Sequence, residues 1–103
     1  MAYIDPKTVI SPRAKWKLIE VLRNGARDGK GDDDAAIAIG EWDGKRVFAV
    51  RWNGTSEDKA GVGSPQSRGL PTWFIVPSWM NSAIIDSNII PDGKRALVTA
   101  LLN

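Results

Sequence analysis

The chain contains no cysteine and no histidine. The first absence excludes a disulfide framework and thiolate metal sites. The second removes the usual general base near neutral pH, the commonest zinc ligand, and every Ser-His or Cys-His nucleophile pair. Long apolar runs are missing too, with none near the roughly 18–20 residues of a membrane span. Met1-Ala2-Tyr3-Ile4-Asp5 has no basic segment followed by a hydrophobic one, so no signal peptide is expected. Cytoplasmic localisation without a membrane partner is the resulting expectation. Charge of one sign is also scarce: 14 Lys and Arg against 12 Asp and Glu leave a net charge of +2. A protein built to grip a phosphate backbone usually carries a larger, localised excess. The balance permits a nucleic-acid partner without asking for one.

What is present is an ordinary globular composition, 43% apolar and 25% charged over 103 residues. That length suits one core and one domain, spanning 1–103, with 1–10 expected as a flexible N-terminal segment. Five Trp are many for this length. Each supplies a large apolar area, either to the core or to a surface that another molecule covers.

Ser11-Pro12 reads as an N-cap and first helical residue, and Asn24-Gly25 as a stop, so a helix is expected from Arg13 to about Arg23. Ala14, Leu18, Val21 and Leu22 form its apolar stripe, with Trp16 on the opposite side. Ala35–Trp42 and Lys45–Trp52 are β-like runs joined by Asp43-Gly44, a pair suited to a type I′ turn. That turn sets Trp42 opposite Lys45, Glu41 opposite Arg46, Gly40 opposite Val47, Ile39 opposite Phe48, Ala38 opposite Ala49 and Ile37 opposite Val50. Because paired residues share a face and neighbours alternate, one face carries Ile37, Ile39, Phe48, Val50 and Trp52 and is expected as core. The other carries Ala36, Ala38, Gly40, Val47 and Ala49, with Trp42 and Arg51 at its ends. This shallow face can be covered by a chain segment, a second copy or a partner.

A polar stretch with several Gly and Pro, Thr55 to about Pro71, follows and reads as a functional or disordered loop. Thr72–Val76 is expected as a third strand ended by Pro77, and Trp79 to about Asp86 as a short helix. For 92–102 both strand and amphipathic helix are open. Lys94 and Arg95 in a first turn oppose the helix dipole, which favours the strand. The fold class is therefore α+β: an antiparallel sheet of three or four strands built on a central hairpin and packed with two helices, in the order α-β-β-β-α-β or α-β-β-β-α-α.

Several constellations bear on function. The cluster Asp28, Asp32, Asp33, Asp34 offers oxygen ligands but lacks EF-hand spacing, so no metal site is expected. Gly61-Val62-Gly63 lacks the GxGxxG spacing and a following helix, so no nucleotide cofactor is expected either. Arg51, Arg68 and Trp73, with Gln66 in the same loop, are the candidate ligand-binding residues, since Arg contacts phosphate and Trp stacks on bases. Trp16, Trp42, Ala38 and Ala49 are the candidate homodimer interface. No acid and base converge, and Glu41 already faces Arg46. The leading expectation is a non-enzymatic binding or interaction protein. The alternatives are a nucleic-acid-binding protein and a small enzyme that uses neither His nor Cys.

The run Gly40-Glu41-Trp42-Asp43-Gly44-Lys45-Arg46-Val47-Phe48-Ala49-Val50-Arg51-Trp52-Asn53-Gly54, followed by Ser64-Pro65-Gln66-Ser67-Arg68-Gly69-Leu70-Pro71-Thr72-Trp73-Phe74, resembles small uncharacterised bacterial proteins. Some of these are carried on mobile genetic elements such as integron gene cassettes. The resemblance covers the central half of the chain. It implies a bacterial, cytoplasmic origin and an accessory role, and it brings no catalytic residues.

Overall fold

A computed structural model describes residues 5–24, 35–53, 63–68 and 70–102. Its long elements are β1 (Trp16–Arg23), β2 (Ala35–Trp42) and β3 (Lys45–Trp52), followed by the short strands β4 (Gln66–Ser67), β5 (Leu70–Pro71) and β6 (Phe74–Ile75). Helices α1 (Asn81–Ile85) and α2 (Arg95–Leu102) complete the chain, each entered through a 3-10 turn. The main sheet is antiparallel in the order β1-β2-β3-β6, and β4 and β5 form a separate small hairpin. The class is α+β, with a four-stranded sheet and two helices as expected from the hairpin outward.

The hairpin carries every pairing that its turn dictates, from Ile37 with Val50 to Trp42 with Lys45. Asp43 and Gly44 both have positive φ, 53° and 85°, as a type I′ turn requires. Glu41 and Arg46 meet across the strands at 3.8 Å. The Arg46 guanidinium also donates to the Leu101 carbonyl at 3.0 Å, tying the hairpin tip to the last turn of α2. A cation there suits the negative end of the helix.

The expected helix over Arg13–Arg23 is instead strand β1. Its start signal produces only one turn, in which the Pro12 carbonyl accepts from Lys15 and Trp16 N–H groups. Pairing with β2 then takes over, from Trp16 opposite Trp42 to Arg23 opposite Ile37. Two irregularities, between Leu18 and Glu20 and between Val21 and Arg23, shift the register. Each such shift changes the phase of a period-two pattern. As a result Leu18, Val21 and Leu22 fall at the i, i+3, i+4 spacing of a helix. Trp16, misplaced on a helix, sits well on a strand, where it shares a face with Leu18.

The strand favoured for 92–102 is also overturned. A 3-10 turn over Asp92–Lys94 leads into α2. The basic residues that argued against a helix are held by specific acceptors. The Lys94 ammonium donates to Glu20 Oε2 at 2.7 Å and to the Val21 carbonyl at 2.8 Å. Arg95 donates to the carbonyls of Ile85 and Ser87. Such charge-assisted bonds outweigh the few tenths of a kcal/mol that an unfavourable dipole costs (up to ~1).

Two cores result, one on each side of the sheet. Leu22, Ile37, Ile39, Phe48 and Val76 pack against Ile84, Ile90 and Val98 from the helical layer. On the shallow side Ala36, Ala38 and Ala49 pack against Val9, Trp16 and Trp73. The N-terminal segment is therefore part of the packing from Asp5 onward. Asp5 caps a 3-10 turn over Pro6–Thr8, and both Pro6 and Val9 are buried. Among the described residues no helix is long and apolar enough to cross a membrane.

Candidate functional site

The sheet extends further than the helices that cover it, and this mismatch creates the candidate site. Register partners Arg23, Ile37, Val50 and Phe74 form one row across all four strands at the open end of the hairpin. The row inside it, Ile39 with Phe48, is fully closed over by the helical layer. The row outside it pairs Ala35 with Trp52. Val50 and Ala35 are only half-buried, because α1 and the turn before it stop short of them. The result is an open groove of about 490 Å³, floored by Ile37 and Val50 and walled by Phe74, Met80, Ile84 and Ile89. Arg23 lies at its edge and is the only ionisable residue in the described lining. A second cavity of about 290 Å³ shares Ala35, Val50 and Phe74 with the first and continues toward Trp52 and Pro65.

Phe74 is 57% exposed and Trp52 is 49% exposed. Trp52 is thus a correction to the expected core face: it lies on the predicted side, but beyond the reach of the helices. Met80 and Ile89 are exposed as well, and Trp79 beside Met80 is 80% exposed. Scattered apolar side chains on a surface need no explanation, whereas a continuous apolar groove does.

The residues expected to bind a ligand separate into two groups. Arg51 is 1% exposed, with its guanidinium donating to Asn53 Oδ1 at 3.1 Å, to the Trp52 carbonyl at 3.1 Å and to the Thr72 carbonyl. Burial pushes it down to about 10, still far above neutral, so it remains charged. Its role is to staple the end of β3 to the segment before Trp73. Trp73 is buried against the sheet, and its indole N–H donates to the Val9 carbonyl at 2.7 Å. Neither side chain can meet a base or a phosphate. Gln66 and Arg68 are exposed on the small β4–β5 hairpin, where Arg68 takes a φ of 53°.

The expected dimer interface is likewise internal. Ala38 and Ala49 are 0% exposed and Trp16 is 2% exposed. Trp42 is half-buried against the same cluster. Of the three covers open to the shallow face, the chain itself supplies the one that is seen. Trp16 and Trp73 lie over the alanines with ring centroids 6.1 Å apart and planes at 39°. Gly40 makes room for Trp16: a Cβ there would lie 2.5 Å from both the Lys17 carbonyl oxygen and the Trp16 ring. The Trp16 N–H finds no acceptor among the described residues.

The acidic residues Asp28, Asp32, Asp33 and Asp34 lie outside the described residues, as do Gly61 and Val62. Among the described residues no three acidic side chains converge as a metal site. Glu20 is paired with Lys94 and Glu41 with Arg46, so neither is presented as a general base. The groove was not legible in advance, because it depends on where the helical layer ends. The one available signal was the run of apolar residues in 74–90, more than one short helix can bury. No family model, no curated protein and no solved structure matches the chain.

Proposed function

We propose that the chain is a non-enzymatic binding protein whose ligand occupies the groove at the open end of the sheet. The observation that carries this reading is the register pair Val50–Phe74, half-buried and exposed in turn, which continues the row of buried Ile37 beyond the cover of the helices. Small-molecule sites are concave, mostly apolar and of roughly 300–1,000 Å³, and a groove of about 490 Å³ falls within that range. A ligand here would bury Phe74, Met80 and Ile89 against an existing core, at a gain of about 25 cal/mol per Å² of apolar surface removed from water. Among the described residues the lining holds no paired acid and base, so binding rather than chemistry is what it supports.

The neutral fluorophore N-phenylnaphthylamine tests the reading. Saturable one-site binding with a rise in Tm is expected, since a ligand specific to the native state stabilises it. Phe74→Asp and Met80→Glu, at exposed positions where the fold tolerates a charge, should each weaken binding about tenfold or more, the scale of burying an unpaired carboxylate. An unchanged affinity in both variants, or no saturable binding to the parent protein, would sink the proposal. A nucleic-acid reading loses Arg51 and Trp73, which are buried, and would rest on the exposed Arg68 instead.

A further inference from the structure

Resting on the binding role just proposed, we infer that the groove takes a single-chain carboxylate, with its hydrocarbon over Val50 and Ile84 and its head group at Arg23. The row that floors the groove runs from apolar Phe74 to cationic Arg23, so the site has a polarity along its length. A wholly apolar ligand would leave that end unused. A ligand with one polar end has one favoured orientation.

The sign of the polar end follows from the lining. Arg23 is exposed, and no carboxylate contributes to the described walls. A cationic head would be repelled and a neutral one gains little, whereas an anion gains Coulomb energy and hydrogen bonds. A planar carboxylate also matches the guanidinium fork. Arg23 already has a partner within the protein, and its five N–H donors can serve a second acceptor. The other arginine near the groove cannot play this part, because Arg51 spends its donors on Asn53, Trp52 and Thr72.

Calorimetric titration with decanoate, decanol and decylammonium, each kept below its micellar range, separates the possibilities. Decanoate should bind roughly two- to fivefold tighter than decanol, the scale of a solvent-exposed ion pair, and decylammonium should bind most weakly. The preference for decanoate should shrink as salt is raised. Arg23→Gln should abolish the preference for decanoate over decanol. If decanol binds and decanoate has no advantage, the carboxylate inference is overturned and the groove stands. If none of the three binds while N-phenylnaphthylamine does, the carboxylate inference is overturned; if the fluorophore fails as well, the binding role itself falls. Should Arg23→Gln not fold, the order of the three head groups and its salt dependence in the parent protein still decide the matter.

Discussion

Trp16 shows how the secondary structure of a segment decides the role of a residue. Placed on a helix it was an exposed aromatic and a natural candidate for an interface. On β1 it is buried over Gly40 and beside Trp73. The two roles differ in what a truncation does. Trp16→Ala is expected to cost about 3–5 kcal/mol of stability, the range for removing a buried Trp, offset slightly because its unpaired N–H goes as well. Denaturant melts should give the same loss at low and high protein concentration. A loss that appears only at high concentration would restore Trp16 to an interface. Arg51 teaches a related lesson. The hairpin register gives its face, but its burial depends on Gly63, Ser64 and Thr72 lying against that end of the sheet. Such a long-range contact leaves no local mark on the strand that carries Arg51.

At the level of elements, the hairpin was fully legible and β1 was not, for a common physical reason. Asp43-Gly44 fixes a turn, and eight residues on either side then alternate without interruption. β1 has the same propensity to pair, but two register shifts scramble its alternation into a helical spacing. The same shifts serve β1 as an edge strand, since irregular pairing discourages another strand from adding to it. Lys94 helps by holding the Val21 carbonyl. β6, at the opposite edge, is only two residues long and is followed closely by Pro77. The close approach of β1 and β2 at Gly40 offers a direct check on this pairing. Gly40→Ala should cost about 3 kcal/mol, the upper end for overpacking, because one of the three obstructing atoms belongs to the backbone. A urea melt showing a cost below about 0.5 kcal/mol, within the ordinary spread of surface substitutions, would mean that Trp16 does not lie on Gly40.

For the whole molecule, the two cores have one wall in common. Ile37, Ile39 and Phe48 point into one core, while Ala36, Ala38 and Ala49, alternating with them on the same two strands, point into the other. Neither side can open without exposing the back of the other, and a domain of this size usually unfolds in one step. Far-ultraviolet circular dichroism and tryptophan fluorescence should therefore give superimposable melting curves. Two separated transitions would show that the helical layer and the tryptophan layer are independently stable. The α+β class and the two-faced sheet were readable because they follow from periodicity. The groove was not, because it arises from a difference in length between the sheet and the helices above it.

The distribution of tryptophans has an optical consequence. Trp16 and Trp73 are enclosed together on one side of the sheet with Trp42 half-buried beside them, whereas Trp52 and Trp79 are open to water at the surface. The enclosed pair should emit at shorter wavelength and resist acrylamide, while the open pair should emit further to the red and be quenched first. With a soluble quencher present, the remaining emission becomes a private signal from the alanine face. Light from the quenchable pair then reports on the groove side, where Trp52 stands. The molecule thus carries two colour channels, one for each side of its sheet, without any added label.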